Sequence, residues 1–279
     1  MTKKHLALYG LKWNPFAPDV PVEALHITPP IHSFCWRVEQ LAGEGGFALI
    51  TGAPGTGKSV SLRILVERLG AQRDVAVGVL SRPQAAIHDF YREPGALFGV
   101  QLSRHNRWAG CKVLRERWQD HIDAALSRPV LIVDEAQEMV PKVLAELRLL
   151  ASTRLDSHIL LPVVLAGDGR LSERFRTDEM LPLGSRIRVR MALERATPEE
   201  LQECLKFALT KAGAPKLMTA ELIATLCDHA QGNVRALMNM ASELLSVAAE
   251  REARQIDEKL FLETYAQPAP EKTAAGRRR

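Results

Sequence analysis

Gly52, Ala53, Pro54, Gly55, Thr56, Gly57, Lys58 and Ser59 form the stretch that most constrains this chain. They fit the pattern GxxxxGK followed by Ser or Thr, in which glycines let the backbone wrap and point successive N–H groups inward at an anion. Such a loop works between a strand and a helix, and the sequence supplies both. Phe47–Gly52 is a short apolar run preceded by Gly45 and Gly46, and Lys58 to Gly70 places Leu62, Leu65, Val66 and Leu69 on one helical face. The helix N-terminus, through Val60, adds partial positive charge at the bound phosphates. Lys58 suits the β- and γ-phosphates, and the Ser59 hydroxyl suits Mg²⁺.

Short apolar runs alternate with amphipathic stretches from about residue 32 to 212, the pattern of a parallel sheet whose strands are joined by helices. Asp74 to Leu80, Val130 to Asp134, Ile159 to Ala166 and Ile187 to Leu193 read as further strands, the last alternating and nearer an edge. Asp134 and Glu135 close the Val130 run, at the carboxyl end of a parallel strand where ligands bind in such sheets. Asp134 fits a Mg²⁺-organising acid. Glu135 fits either a base that orients an attacking water or a cap for the following helix. The chain length between Lys58 and Asp134 leaves room for a second strand and two or three helices, which suggests an extra strand between loop strand and acid strand.

From Thr197 the pattern is helical only, over about 198–212, 219–230, 233–251 and 256–265, with Thr197, Pro198, Glu199 and Glu200 as a capped start. The expected fold is therefore α/β, a three-layer parallel-sheet P-loop core with a small C-terminal all-helical lid domain. The expected divisions are an N-terminal extension (1–30), a core (31–195), a lid (196–266) and a floppy basic tail (267–279). Hydrophobic residues at 46% and charged residues at 25% are ordinary for a soluble globular protein and exclude disorder or a coiled-coil rod as the main state. A formal charge of +4 permits a polyanionic partner without requiring one. Cys35, Cys111, Cys204 and Cys227 are scattered and read as buried hydrophobes in a reducing compartment. No run of about 18 apolar residues exists, so the expected location is cytoplasmic.

The loop, Asp134-Glu135-Ala136-Gln137 and Gly232-Asn233-Val234-Arg235 together resemble the AAA+ ATPases. More narrowly, the chain from about Tyr9 to Leu245 resembles the ExeA-type group and the transposition ATPases of the TniB, TnsC and MuB kind. Tyr9-Gly10-Leu11 with Asn14-Pro15-Phe16 looks like that group's N-terminal signature. Leu147 to Asp156 resembles its helix after the acid strand, and Val164 to Leu171 its next strand segment.

The resemblance implies ATP hydrolysis with Mg²⁺ and gives roles to further residues. Asp168 falls where the group carries a polar sensor of the γ-phosphate, most often Gln; an ionised acid there accepts hydrogen bonds and does not donate them. Arg186, in Leu183-Gly184-Ser185-Arg186-Ile187, falls at the finger that reaches a neighbouring subunit's nucleotide, with a structural ion pair as the alternative; Arg188 and Arg190 are weaker candidates. Arg235 falls at the second sensor. Asn14, Pro15 and Phe16 line the adenine side of the pocket or staple two domains together. A finger acting in trans implies a homo-oligomer, a ring or helical filament of hexamer-like or heptamer-like kind.

From Gln101 to Trp118, five basic residues (Arg104, Arg107, Lys112, Arg115, Arg117) face one acid, Glu116, with His105, Trp108 and Trp118 among them. Such a stretch suits a duplex DNA backbone without base reading, or a solvated helix face with Val113 and Leu114 inward. Lys142, Arg148 and Arg154 are further candidates for a ring channel. The resemblance implies an ATPase that assembles on double-stranded DNA and recruits a transposase. The alternatives are a secretion-associated ATPase and a nucleotide-switched adaptor acting on a protein partner.

Overall fold

The computed structural model describes residues 3–100, 107–124, 127–153 and 158–265. In chain order the elements begin with α1 (Lys3–Leu8), α2 (Pro29–Glu44), β1 (Phe47–Gly52), α3 (Lys58–Gly70), β2 (Val75–Leu80), α4 (Ile87–Leu97) and α5 (Arg107–Asp123). There follow β3 (Arg128–Val133), α6 (Pro141–Ala151), β4 (Ser152–Thr153), β5 (His158–Ile159), β6 (Val163–Gly167), α7 (Gly169–Arg174), α8 (Leu181–Gly184) and β7 (Ile187–Leu193). The last helices are α9 (Pro198–Ala212), α10 (Ala220–Ala230), α11 (Val234–Glu250) and α12 (Glu258–Tyr265). The chain divides into two compact units, Leu25–Arg195 and the combination of Met1–Ala24 with Ala196–Arg279.

The first unit holds a parallel five-stranded sheet of order β2-β3-β6-β1-β7. Its central strands are apolar because helices cover both faces: Val130–Val133 of β3 and all of β6 are buried. The alternation of β7 has the same logic at an edge, with Ile187, Val189 and Met191 inward and Arg188 and Arg190 outward. The extra strand between loop strand and acid strand is β6, which pairs with β1 on one side and β3 on the other. The run Ile159–Ala166 is not one strand. Pro162 has no N–H to give a ladder, so β5 ends early in a small antiparallel pair with β4, and β6 starts after the proline. Because the five strands are parallel, their carboxyl ends share one edge. The loop after β1, Asp168 after β6 and Asp134 after β3 emerge there side by side.

The basic stretch is helical from Arg107. Leu114 and Trp118 turn inward, where Trp118 meets Phe98 edge-on with ring centroids 5.4 Å apart. Val113 does not point inward; it is 40% exposed. The expected helix over Leu147–Asp156 begins earlier, at Pro141, and ends at Ala151.

The second unit is helical. Thr197 accepts from the Glu200 N–H while the Glu200 carboxylate accepts from the Thr197 N–H, a capping box whose loss costs about 1 kcal/mol. Gly213 closes α9 in the left-handed region at φ 99°, which a side chain would resist. Residues 3–24 pack here: Leu11 and Phe16 share a core with Leu201, Leu205, Leu226 and Leu237, and the Lys12 N–H donates to the Ala212 carbonyl at 2.9 Å.

Candidate functional site

The loop after β1 is shaped by close approach and by positive φ. A Cβ on Gly52 would sit 2.6 Å from Thr56 Oγ1 and 2.7 Å from the Leu193 carbonyl, so only glycine fits between them. Gly55 and Gly57 adopt φ 84° and 103°. Thr56 Oγ1 donates to the Ala53 carbonyl at 2.9 Å and ties the turn together. No side chain caps α3 and no acid lies in its first turn, which leaves the first-turn N–H groups of Lys58, Ser59 and Val60 to an anion. Lys58 is 7% exposed, and its Nζ donates to the Gly52 and Ala53 carbonyls at 2.9 and 3.2 Å. The ammonium is thus held at the loop's own mouth, against the loop carbonyls.

Ser59 and Asp134, far apart in sequence, meet: Ser59 Oγ donates to Asp134 Oδ2 at 2.7 Å. The other carboxylate oxygen accepts from the Glu135 N–H at 2.9 Å. Glu135 is exposed and occupies the left-handed region at φ 52°, ψ 38°, a conformation that costs a non-glycine residue about 1 kcal/mol. Its carboxylate accepts from Gln137 Nε2. The hydroxyl and carboxylate of Ser59 and Asp134 are hard oxygen donors, the kind Mg²⁺ takes while keeping most of its water shell, so the residues fit that ion. Among the described residues no group of three or more His, Cys, Asp or Glu offers another metal site.

Asp168 lies one residue past the Thr51–Gly167 pairing of β1 and β6, which puts it beside Gly52. Its N–H donates to Gln137 Oε1 at 3.3 Å. Its carboxylate caps α7 by accepting from the Arg170 N–H at 3.0 Å and pairs with Arg170 Nε at 2.8 Å. Arg170 also reaches Glu138 at 2.9 Å, and the two acids, Asp168 first, hold its guanidinium more firmly protonated than usual. Arg174 donates to the Gln137 and Met139 carbonyls. Sequence reasoning missed Gln137 and Arg170 as parts of this edge. Each stands two residues after an acid already singled out, the only signal the sequence offered.

Arg186 stands elsewhere. Ile187 pairs with Phe47 and Leu193 with Gly52, so Arg186 precedes β7 at the amino edge of the sheet. At about 3.3 Å per residue, that is roughly 20 Å from its own phosphate loop. Its guanidinium donates to the Pro182 carbonyl. Arg188 pairs with Glu44 at 2.7 Å and Arg190 donates to the Gly184 carbonyl at 2.8 Å. In the helical unit, Arg235 is exposed in the first turn of α11, whose Asn233 cap accepts from the Ala236 N–H. Asn14 Oδ1 accepts from the Phe16 N–H at 3.1 Å, and Phe16 is buried in that unit's core beside the buried Pro15.

Arg104, His105 and Arg154 lie outside the described residues, as do the side chains of Arg107 and Trp108. Lys112 is exposed and 3.7 Å from Glu116. Arg115 donates to the Ser152 carbonyl, which turns it inward, and Trp118 is buried. Lys142 is exposed and Arg148 half-buried on α6. Burial pushes the Cys35, Cys204 and Cys227 thiols up to about 11, so they stay protonated and inert near neutral pH. No helix among the described residues is long and apolar enough to cross a membrane.

A glycine loop between β1 and α3, a hydroxyl–carboxylate pair joining α3 to β3, and a third strand between them define an α/β P-loop fold of the AAA+ type, with a helical unit at the C-terminus. Residues 41–175 match the family described as AAA domain. General secretion pathway protein A of Aeromonas hydrophila is 32% identical over 220 residues, which are 75% of this chain and 38% of that protein. The chain thus spans well under half the length of that relative. In solved structures the fold resembles Cdc6p of Pyrobaculum aerophilum (TM-score 0.69, 16% identity, 87% of this chain and 67% of that one). It also resembles the ADP form of the Aeropyrum pernix ORC2 protein (TM-score 0.72, 14% identity, 89% and 70%).

Proposed function

We propose that this chain is an ATPase that binds ATP at Gly52–Ser59 and hydrolyses it to ADP and phosphate. The observation that carries this is the bond between Ser59 and Asp134, which brings the loop and the acid strand into one cluster of hard oxygens beside Lys58. Ser59 and Asp134 would hold Mg²⁺, which when bound neutralises charge on the β- and γ-phosphate oxygens. The loop N–H groups and Lys58 bind and orient the phosphates, Lys58 exchanging its two carbonyl acceptors for phosphate oxygens. Glu135, exposed just past the end of β3, holds the water in line and takes its proton. At the carboxyl edge Asp168 serves the γ-phosphate region through its backbone and its tie to Arg170.

Arg186 completes a site it cannot reach in its own chain. A guanidinium about 20 Å from its own loop acts on a neighbouring subunit, so the working form is a head-to-tail homo-oligomer, a ring or a helical filament. Its fork then neutralises charge on the transferring phosphoryl group. The work of the assembly, on this reading, is done on double-stranded DNA gripped without sequence specificity. There it recruits or activates a transposase, and hydrolysis resets it. The exposed Lys112 and Arg117 of α5, with the net charge of +4, support a phosphate-backbone contact. A second reading, a secretion-associated ATPase, draws on the 32% identity to General secretion pathway protein A.

The experiment is binding to a fluorescent random duplex at fixed salt with a slowly hydrolysed ATP analogue, with ADP, and without nucleotide. Tight binding only with the analogue, steep in protein concentration, supports ATP-gated assembly on DNA. No binding in any state discards DNA and leaves a protein partner, with secretion ahead.

A further inference from the structure

The structure assigns to Gln137 the positioning of Glu135, an inference that rests on the proposed role of Glu135 as the base. The amide of Gln137 stands between two groups that leave it one orientation. The Asp168 N–H can only donate, and it meets Oε1 at 3.3 Å. The Glu135 carboxylate accepts, and it meets Nε2. The oxygen and nitrogen of the amide are therefore fixed by the chemistry of their partners. Gln137 joins the exposed end of β3 to the end of β6, the strand that runs between β3 and the phosphate-loop strand.

A second, independent observation shows that the fold makes room for this contact. A Cβ on Gly167 would lie 2.6 Å from Gln137 Oε1 and 2.8 Å from Leu171 Cδ2. The φ of Gly167 is not in the left-handed region, so the backbone does not demand glycine there; an added Cβ would instead press on the ends of two side chains, the Gln137 amide and Leu171, and displace them. Arg174 meanwhile bonds the Gln137 and Met139 carbonyls, and the Glu138 N–H donates to the Glu135 carbonyl. The backbone of Gln137 is thus fixed by its neighbours while its side chain is left for one task. A glutamate on an exposed turn has three free torsions. The amide restrains that freedom by tying the carboxylate, through Gln137, to the Asp168 N–H at the end of β6.

Because Gln137 acts through Glu135, its loss should lower turnover without loosening nucleotide. In the full chain, Gln137→Met keeps the shape and removes both hydrogen bonds. It should lower kcat by about tenfold to a hundredfold, with KM for ATP and affinity for a fluorescent ADP within about twofold of the parent. Added to Glu135→Gln it should lower the rate no further, since the base it positions is already gone. Gly167→Ala displaces the amide without touching Gln137, and should show the same kcat-only loss. It also carries the test should Gln137→Met fail to give a cooperative melt.

Parental kcat in Gln137→Met, a loss confined to KM or ADP affinity, or a further loss on top of Glu135→Gln would each overturn the assignment. The single Glu135→Gln variant separates this from the underlying reading. If it hydrolyses ATP at the parental rate, the base itself is wrong. If it is inactive while Gln137→Met is parental, only the positioning role falls.

Discussion

Replacing Arg186 with alanine tests the assembly reading most sharply, because the sheet fixes where that side chain is. It precedes β7 at the amino edge, while the loop follows β1 at the carboxyl edge, roughly 20 Å away. That separation is more than twice the screening length of about 8 Å at physiological salt, so Arg186 exerts almost no field on its own nucleotide. A direct effect on hydrolysis then acts on a neighbour, where a finger is worth about 10³-fold or more in kcat, whereas a loss caused only by the bond to Pro182 would not be rescued by mixing. Arg186→Ala alone should fall by about that factor, and Lys58→Ala alone should be inactive. Mixed in equal amounts and assembled at random, about one interface in four places an intact loop against an intact Arg186. Phosphate release should then recover to about a quarter of the parental rate, far above the sum of the two parts. The assay is steady-state phosphate release at constant total subunit concentration across mixing ratios. Activity equal to the sum of the parts at every ratio, or parental turnover in Arg186→Ala alone, would refute the reasoning.

Lys58→Ala should abolish nucleotide binding or turnover, read by fluorescent ADP titration and phosphate release; equal turnover would remove the loop from the mechanism. Glu135→Gln should retain ATP and the assembled state while hydrolysis drops by about 10²- to 10⁴-fold, and parental hydrolysis would show that Glu135 is not the base. Neutralising Arg104, Arg107 and Lys112 together should weaken duplex binding and flatten its salt dependence by about 0.9 in log–log slope for each DNA phosphate no longer neutralised; an unchanged slope moves the DNA surface elsewhere. Folding raises the Cys35, Cys204 and Cys227 thiols from near 9 to about 11 through burial. The folded state therefore holds protons that the unfolded chain releases. The stabilisation is complete below about pH 9 and is lost as pH rises toward 11. Urea midpoints should decline through that window, and less steeply in a variant carrying alanine at all three cysteines.

The fold was legible wherever backbone chemistry allows one solution. The loop demanded β1 before it and α3 after it, and the wholly apolar Val130–Val133 and Val163–Ala166 runs suit only strands covered on both faces. The helical unit announced itself through Thr197, Pro198 and Glu200, since a capping box has no use outside a helix start. Pro162 was equally visible in the run from Ile159. The apolar period hid it, although a residue without an N–H has to interrupt a parallel ladder.

The site was legible only where the motif itself places the side chain. Ser59 and Asp134 follow from loop and strand end, but their neighbours depend on which strand lies between β1 and β3, and no local pattern encodes strand order. That is why Asp168 looked anomalous from the sequence, an acceptor where a donor was expected. The donor that β6 supplies at that point is the backbone N–H of Asp168, taken by Gln137, while the carboxylate turns to α7 and Arg170. A side chain at that position is then free to be an acid, because the hydrogen bond toward Glu135 runs through the main chain and one amide. Substituting Asp168 should accordingly disturb the start of α7 and the Arg170 pair more than the Gln137 bridge. The same reasoning explains the basic stretch. Its charge was countable from the sequence, but the inward turns of Arg115 and Trp118 follow from α5 packing beside β4 and Phe98, neighbours that the chain brings together only on folding.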